Sequence, residues 1–266
     1  MAVQAVVFER RYQPAAALAR PARDEKILAD WNGLLINALV EGAIVLDEPT
    51  LVDRGLNVLA FIRENHWDGT ALTHRYKEGD LMEAGFLPDY AFLATGALTL
   101  HGATGELEPL RFALDLGRAI KDKFWDETES ALYYTTSTDG VPIRPRNVTE
   151  QSTPSSTAET VSLFAALEHF VPDSDFASVA QKVIDGYSDQ LRTNPAQNPT
   201  LVLANDVLQN AHLEIVVAAE KLPESWRDIL SETYLPTRLL TRRPPDPGRR
   251  RGTTPRSPPS RGVEGL

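Results

Sequence analysis

The chain of 266 residues contains no cysteine. That excludes disulfides, thiolate metal ligands, a cysteine nucleophile and thiol redox chemistry by this chain. Long apolar runs are missing too. A membrane span needs ~18 consecutive apolar residues, and the longest stretch here, residues 34–46, is broken by Asn37, Glu41 and Gly42. Positive charge is scarce: 27 Lys and Arg stand against 37 Asp and Glu, a formal charge of −10. An acidic chain is a poor binder of phosphate backbones, so nucleic acid is not an expected partner. No G-x-G-x-x-G, G-x-x-x-x-G-K-[ST] or G-x-S-x-G motif occurs, so nucleotide-binding and serine-hydrolase readings lack their local signal. His66, His101, His169 and His212 show no zinc-type spacing. We therefore expect no metal and no cofactor. The first residues carry Glu9, Arg10 and Arg11 after only a short apolar run, which is not a signal-peptide pattern. The expectation is a cytoplasmic protein without a membrane partner.

What is present is ordinary globular composition, with 42% hydrophobic and 24% charged residues. The charge is unevenly placed. Residues 242–266 hold seven Arg against Asp246 and Glu264, a net +5 that leaves −15 on residues 1–241. That tail has six Pro and almost no large apolar residue. It cannot bury enough surface to offset its ordering entropy and reads as disordered.

Residues 30–46, 88–103 and 153–170 are apolar nearly all round a helical wheel, the character of helices buried on most sides. Each is followed by an amphipathic helix, at 51–65, 107–124 and 176–191. Arg111, Asp115, Arg118 and Asp122 form the polar stripe of the second of these. Asp47 is the expected cap of the 51–65 helix, with Pro49 in its first turn. Ser156 and Glu159 read as an S-x-x-E capping box. The alternation of buried and amphipathic helices implies an inner and an outer ring built from successive hairpins. A repeat supports it: Trp67-Asp68 and Trp125-Asp126 each follow an outer helix, and each precedes a β-prone strip containing Ala-Leu. Residues 212–218 read as a strand and 223–233 as a short helix, a small α/β appendage within 206–241.

The stretches PARDEKILADWNGLLIN (21–37), LTHRYKEG (72–79) and GFLPDYAFL (85–93) resemble a specific family. So do FWDETESALYYT (124–135), the Thr-Pro-Ser turn at 153–155 and the late LEIVVA and YLPTRLL segments. The family is that of the YyaL-type, spermatogenesis-associated, thioredoxin-domain-containing proteins, and the resemblance covers residues 20–240. It implies the C-terminal part of a longer protein, without the thioredoxin-like domain. It also implies a mainly α fold, a partial α/α barrel similar to N-acylglucosamine 2-epimerases and six-hairpin glycosidases, with short β-hairpins at one end. Residues 153–157 read TPSST, where the family usually carries a Gly-bearing Pro-Ser-Gly-Asn turn. Only three inner helices can be counted, so the barrel in residues 1–241 is expected to be incomplete. Its apolar inner surface would then favour self-association or contact with the missing N-terminal part.

Polar groups on otherwise buried segments concentrate at Asp30, Trp31 and Asn32, at His74, Arg75 and Tyr76, and at Asp89 and Tyr90. In an inner ring, residues at helix N-termini line one mouth of the lumen. Carboxylate, imidazole, guanidinium and aromatic groups together suit a small carbohydrate, because rings stack on pyranose faces and polar groups bond hydroxyls. Asp30, His74, Arg75 and Asp89 are the catalytic candidates. Trp31, Asn32, Tyr76 and Tyr90 are the substrate-binding ones. The chemistry expected is general acid/base catalysis of the sugar epimerase or glycosidase type. Structural roles stand beside these: Asp89 as a helix cap, Trp31 as core, Arg75 as the partner of an acid. So does a non-catalytic module that binds a protein partner.

Overall fold

The computed structural model describes residues 24–136, 143–146, 148–172, 174–219, 223–235 and 237–242. The three apolar segments form helices α1 (Ala29–Val45), α3 (Leu87–Thr104) and α5 (Ser156–Glu168). The amphipathic ones form α2 (Thr50–His66), α4 (Leu107–Lys123) and α6 (Phe176–Gly186), continued by the short α7 (Ser188–Thr193). The inner helices stand side by side with α3 in the middle, touching α1 on one flank and α5 on the other. The outer helices back them. On α4 the stripe Arg111, Asp115, Arg118 and Asp122 is exposed, while Phe112, Leu116 and Ile120 face the core. A fourth inner position is taken by α8 (Pro199–Asn210), which packs on α5 and α6. The fold is a partial α/α barrel.

The Trp-Asp repeat is real geometry. Trp67 bridges Leu72 and Trp125 pairs with Leu132, both antiparallel. Asp68 Oδ1 accepts from the Thr70 and Ala71 amides, and Asp126 Oδ1 accepts from Thr128 and Glu129, so one Asx-type turn is used twice. After the first turn the chain extends into a hairpin, β2 (Thr73–Lys77) and β3 (Asp80–Ala84), beside the two-residue β1 (Ile27–Leu28). Glu78 and Gly79 both have positive φ, 52° and 95°, which is the type I′ turn that joins strands across two residues. Trp125–Asp126 and Ala131–Leu132 are the short strands β4 and β5. Because the inner helices all begin at this end, the strips sit over their N-termini.

At the other end, β6 (Leu213–Val217) and β7 (Arg238–Arg242) pair in parallel through α9 (Glu224–Glu232). This β-α-β unit folds back: β7 packs on α3, α9 on α1, and Arg238 is ion-paired with Glu41 of α1. None of the described helices is long and apolar enough to cross a membrane.

Several expectations need correction. The first helix is not buried on most sides. Ala29, Gly33, Ile36, Val40 and Ala43 face inward, whereas Trp31, Leu35 and Val45 are exposed, because none of the described residues flanks α1 on that side. Pro49, not Asp47, holds the cap position of α2. The cap of α5 is Ser155, whose hydroxyl accepts from the Ala158 amide, one residue before the expected Ser156. The 176–191 helix breaks at Tyr187, which leaves helical geometry between α6 and α7. The inner helices number four with α8, not three, among the described residues. Arg242, read as the first residue of the tail, closes β7, and the rest of that tail lies outside the described residues.

Candidate functional site

Asp89 stands at the third position of α3 and is wholly buried. A bare carboxylate there would be costly, and three N–H donors offset the cost. Oδ2 accepts from the Phe86 amide at 2.7 Å, which caps α3. Oδ1 accepts from the Asp30 amide at 3.0 Å, which caps the neighbouring α1. The third partner is His74, whose Nδ1 lies 2.9 and 3.1 Å from the two oxygens. His74 is on the central strand β2, and β1 leads directly into α1, so one small sheet delivers Asp30 and His74 to the start of α3. A carboxylate has about four lone-pair sites. On Asp89 three N–H donors share them.

With Nδ1–H held by Asp89, Nε2 is the atom that can exchange a proton. The Asp89 hydrogen bond is the main reason that the His74 pKa lies above its ordinary 6.5; burial opposes it, and the charges of Asp89, Asp30 and Glu83 add to it. Asp30 is pushed above the ordinary carboxyl range, first by burial and then by the Asp89 charge. Its Oδ1 accepts from the Trp31 amide. Two groups that hold protons to higher pH than usual therefore lie beside one buried carboxylate.

Aromatic rings surround them. Phe86 meets His74 edge-on at 5.1 Å between centroids and stacks on Tyr134 at 5.3 Å. The Tyr134 carbonyl accepts from the Leu87 amide, tying the second Trp-Asp strip to the start of α3. The Tyr134 hydroxyl is raised by burial and by the Asp89 and Asp30 charges. Neither Phe86 nor Tyr134 was singled out in the sequence. The only signal for them was proximity, Phe86 in GFLPDY and Tyr134 in the second strip.

Of the eight residues singled out, the structure brings together Asp30, His74 and Asp89. Trp31 is next to Asp30 with its side chain largely exposed, 63%. The other four are engaged elsewhere. Arg75 pairs with Glu83 across the hairpin at 2.7 Å, since adjacent strand residues point to opposite faces. Tyr76 packs against Phe61 and His66. Tyr90 is in the core, where its hydroxyl accepts from the Leu72 amide and burial pushes its pKa up to about 12. Asn32 donates to the Leu28 carbonyl one turn back.

Asp30, His74 and Asp89 each offer a donor atom, all within 4.8 Å of one another, the metal-ligand grouping found among the described residues. An ion there would have to take lone pairs that Asp89 gives to two backbone amides and an imidazole.

No family model matches the chain. It is 25% identical over 256 residues to human spermatogenesis-associated protein 20, covering 90% of this chain and 32% of that protein. The rat protein of the same name is 26% identical over 254 residues, covering 90% and 31%. These are homologues, and the chain spans about a third of their length. Among solved structures, a glycoside hydrolase family 76 mannosidase from Bacteroides thetaiotaomicron has a TM-score of 0.55 at 14% identity, covering 72% of this chain and 56% of that one. An α-1,6-mannanase of Salegentibacter sp. in complex with α-1,6-mannotriose has 0.54 at 13%, covering 76% and 60%. Cellobiose 2-epimerase from Bacillus thermoamylovorans has 0.52 at 13%, covering 65% and 47%. These likenesses show the α/α-barrel fold.

Proposed function

We propose that this chain is a carbohydrate-active domain whose chemistry is proton transfer at His74, of the sugar-epimerase type. The observation that carries it is the His74–Asp89 pair: a wholly buried carboxylate orients an imidazole that lies beside a second carboxyl, Asp30, whose pKa burial raises. The sugar as substrate class is taken from the barrel's likeness to an enzyme named cellobiose 2-epimerase and to mannan-degrading enzymes. His74 Nε2 removes the proton α to the aldehyde of an open-chain sugar, and the Asp30 carboxyl returns a proton to the opposite face. The exposed Trp31 ring offers a stacking surface. Glycoside hydrolysis by two carboxylates fits less well, because that chemistry needs both carboxylates at the substrate, and Asp89 is wholly buried and engaged by two backbone amides and His74.

The test is incubation of the chain with cellobiose, mannobiose and N-acetylglucosamine in deuterated water. Deuterium entering at C2 without new reducing ends supports epimerase chemistry. A loss of ~10²-fold or more in His74→Asn is expected, the usual contribution of a general base. New reducing ends would favour hydrolysis instead, and exchange unchanged in His74→Asn would end the reading.

A second reading has its own observation. Trp31, Leu35, Val45 and Leu46 are exposed along α1. That suits a surface for the remaining part of a longer protein or for a second copy of the chain, with the domain acting as a binding module.

A further inference from the structure

We propose that His66, at the end of α2, is the positioning residue of His74: with Phe61 and Tyr76 it clasps strand β2 on both sides of His74 and so fixes that ring against Asp89. The inference rests on the reading of His74 as the proton-transferring group and extends it to a residue outside the site. β1 pairs with β2 only at Arg75 and Tyr76. Thr73 and His74 therefore lie past the end of β1, and that strand does not hold them. Helix α2 does. His66 Nδ1 lies 2.9 Å from the Thr73 carbonyl oxygen, one residue before His74. Two residues after Thr73's neighbour comes Tyr76, on the same face of the strand as His74. Its ring meets Phe61 edge-on at 5.6 Å and His66 at 5.9 Å between centroids. Phe61 and His66 meet edge-on themselves, at 6.5 Å.

His66 is wholly buried, so it acts through His74 and not on a substrate. A carbonyl only accepts, so Nδ1 carries the ring proton. Nε2 is left buried with no hydrogen-bond partner among the described residues. A bare ring nitrogen in the core costs stability. A phenylalanine would fill the same space without that cost, but it could not donate to Thr73. Burial lowers the His66 pKa and the His74 charge lowers it further, against the Thr73 hydrogen bond and the Asp89 charge. On His74 the balance runs the other way, through Asp89, Asp30 and Glu83. His66 therefore stays neutral where His74 carries its second proton, and no second cation competes for the Asp89 charge. Because the charges of Asp89 and His74 both act on His66, the clasp lies within electrostatic reach of the pair it positions.

The experiment is NMR of the imidazole nitrogens in the full chain, at a pH where His74 is neutral and with no sugar present. In the unsubstituted chain His74 should hold its proton on Nδ1, facing Asp89. His66→Phe keeps a ring and loses the donor. It should lower the ratio of Nδ1–H to Nε2–H tautomer at His74 by ~10-fold, the equivalent of one hydrogen bond. His66→Asn places an amide N–H near the position of Nδ1 and should restore the ratio. Tyr76→Leu removes the ring that α2 grips and should lower the ratio as well; it takes the place of His66→Phe if that variant does not fold. An unchanged ratio overturns the proposal. So does an equal fall in His66→Phe and His66→Asn, since packing alone would then account for it. The result stands apart from the sugar chemistry. A tautomer that depends on His66, in a chain that puts no deuterium into any sugar, would end the epimerase reading and leave the clasp. A tautomer indifferent to His66, in a chain that does exchange, would end the clasp and leave that reading.

Discussion

Gly33 of α1 and Gly96 of α3 meet backbone to backbone. A Cβ on Gly33 would stand 2.5 Å from the Leu93 nitrogen, and one on Gly96 would stand 2.8 Å from the Gly33 carbonyl oxygen. Main-chain atoms cannot rotate aside, and α3 cannot retreat, because α4 and α5 pack on its other flanks. Gly33→Ala gains up to ~1 kcal/mol of helix propensity, but the clash should outweigh it and leave a net loss of about 1–3 kcal/mol. Gly42→Ala in the same helix is the control, since its Cβ would meet only Leu51 Cδ1 at an ordinary 3.5 Å. That variant should be stabilised by roughly 0.5–1 kcal/mol. Urea midpoints of the two variants read the difference, and a stabilised Gly33→Ala would refute the close approach.

The same contact shows what sequence pattern can carry. The alternation of apolar and amphipathic segments located the helices, because burial on one stripe or all round leaves a periodic trace. It could not say which apolar helix lacks a neighbour. Trp31, Leu35 and Val45 look like core residues by type, and among the described residues no helix covers that side of α1. Position at helix N-termini was enough to group Asp30 with Asp89, and the β-prone strip over the same mouth added His74. It was not enough to exclude Tyr90, one residue from Asp89, which a 100° turn of the helix sends into the core.

Asp89→Asn should act on His74 through proton linkage. The folded His74 pKa lies above its ordinary 6.5, chiefly because of the Asp89 hydrogen bond. A raised histidine adds stability that is fully present below the unfolded pKa and is lost as the pH rises through the folded one. The Asn variant should therefore lose more stability at pH 5.5 than at pH 9. In NMR titration its His74 should move down toward or below the ordinary value. If the Proposed function holds, the rise of activity with pH, as His74 becomes neutral, should shift down with it. An unmoved His74 titration would refute the pair's role.

Ser155 and Ser156 are neighbours with unequal roles. The Ser155 hydroxyl accepts from the Ala158 amide at 3.2 Å and satisfies one of the free donors at the start of α5. Ser155→Ala should cost about 1 kcal/mol. Ser156 is already inside the helix, so Ser156→Ala should cost well under half of that. Thermal melts of the two variants check the order, and the reverse order would restore Ser156 as the cap.

Trp31 serves both readings of the molecule, and Val45 separates them. Trp31 adjoins Asp30 at the start of α1, and it also begins the exposed stripe that Leu35 and Val45 continue. Fourteen residues of helix put Val45 ~21 Å away at 1.5 Å per residue. Trp31→Ala should leave stability nearly unchanged, since its side chain is 63% exposed. If the ring stacks on sugar, that variant should weaken disaccharide binding by roughly 1–2 kcal/mol while Val45→Lys leaves it alone. If α1 is an interface, both variants should raise the dissociation constant of the assembly, because a lysine in an apolar contact brings an unpaired charge. Sedimentation velocity over a concentration series reads the second outcome and ligand titration the first. A monomer at every concentration, with disaccharide binding lost only in Trp31→Ala, would leave the carbohydrate reading and remove the interface.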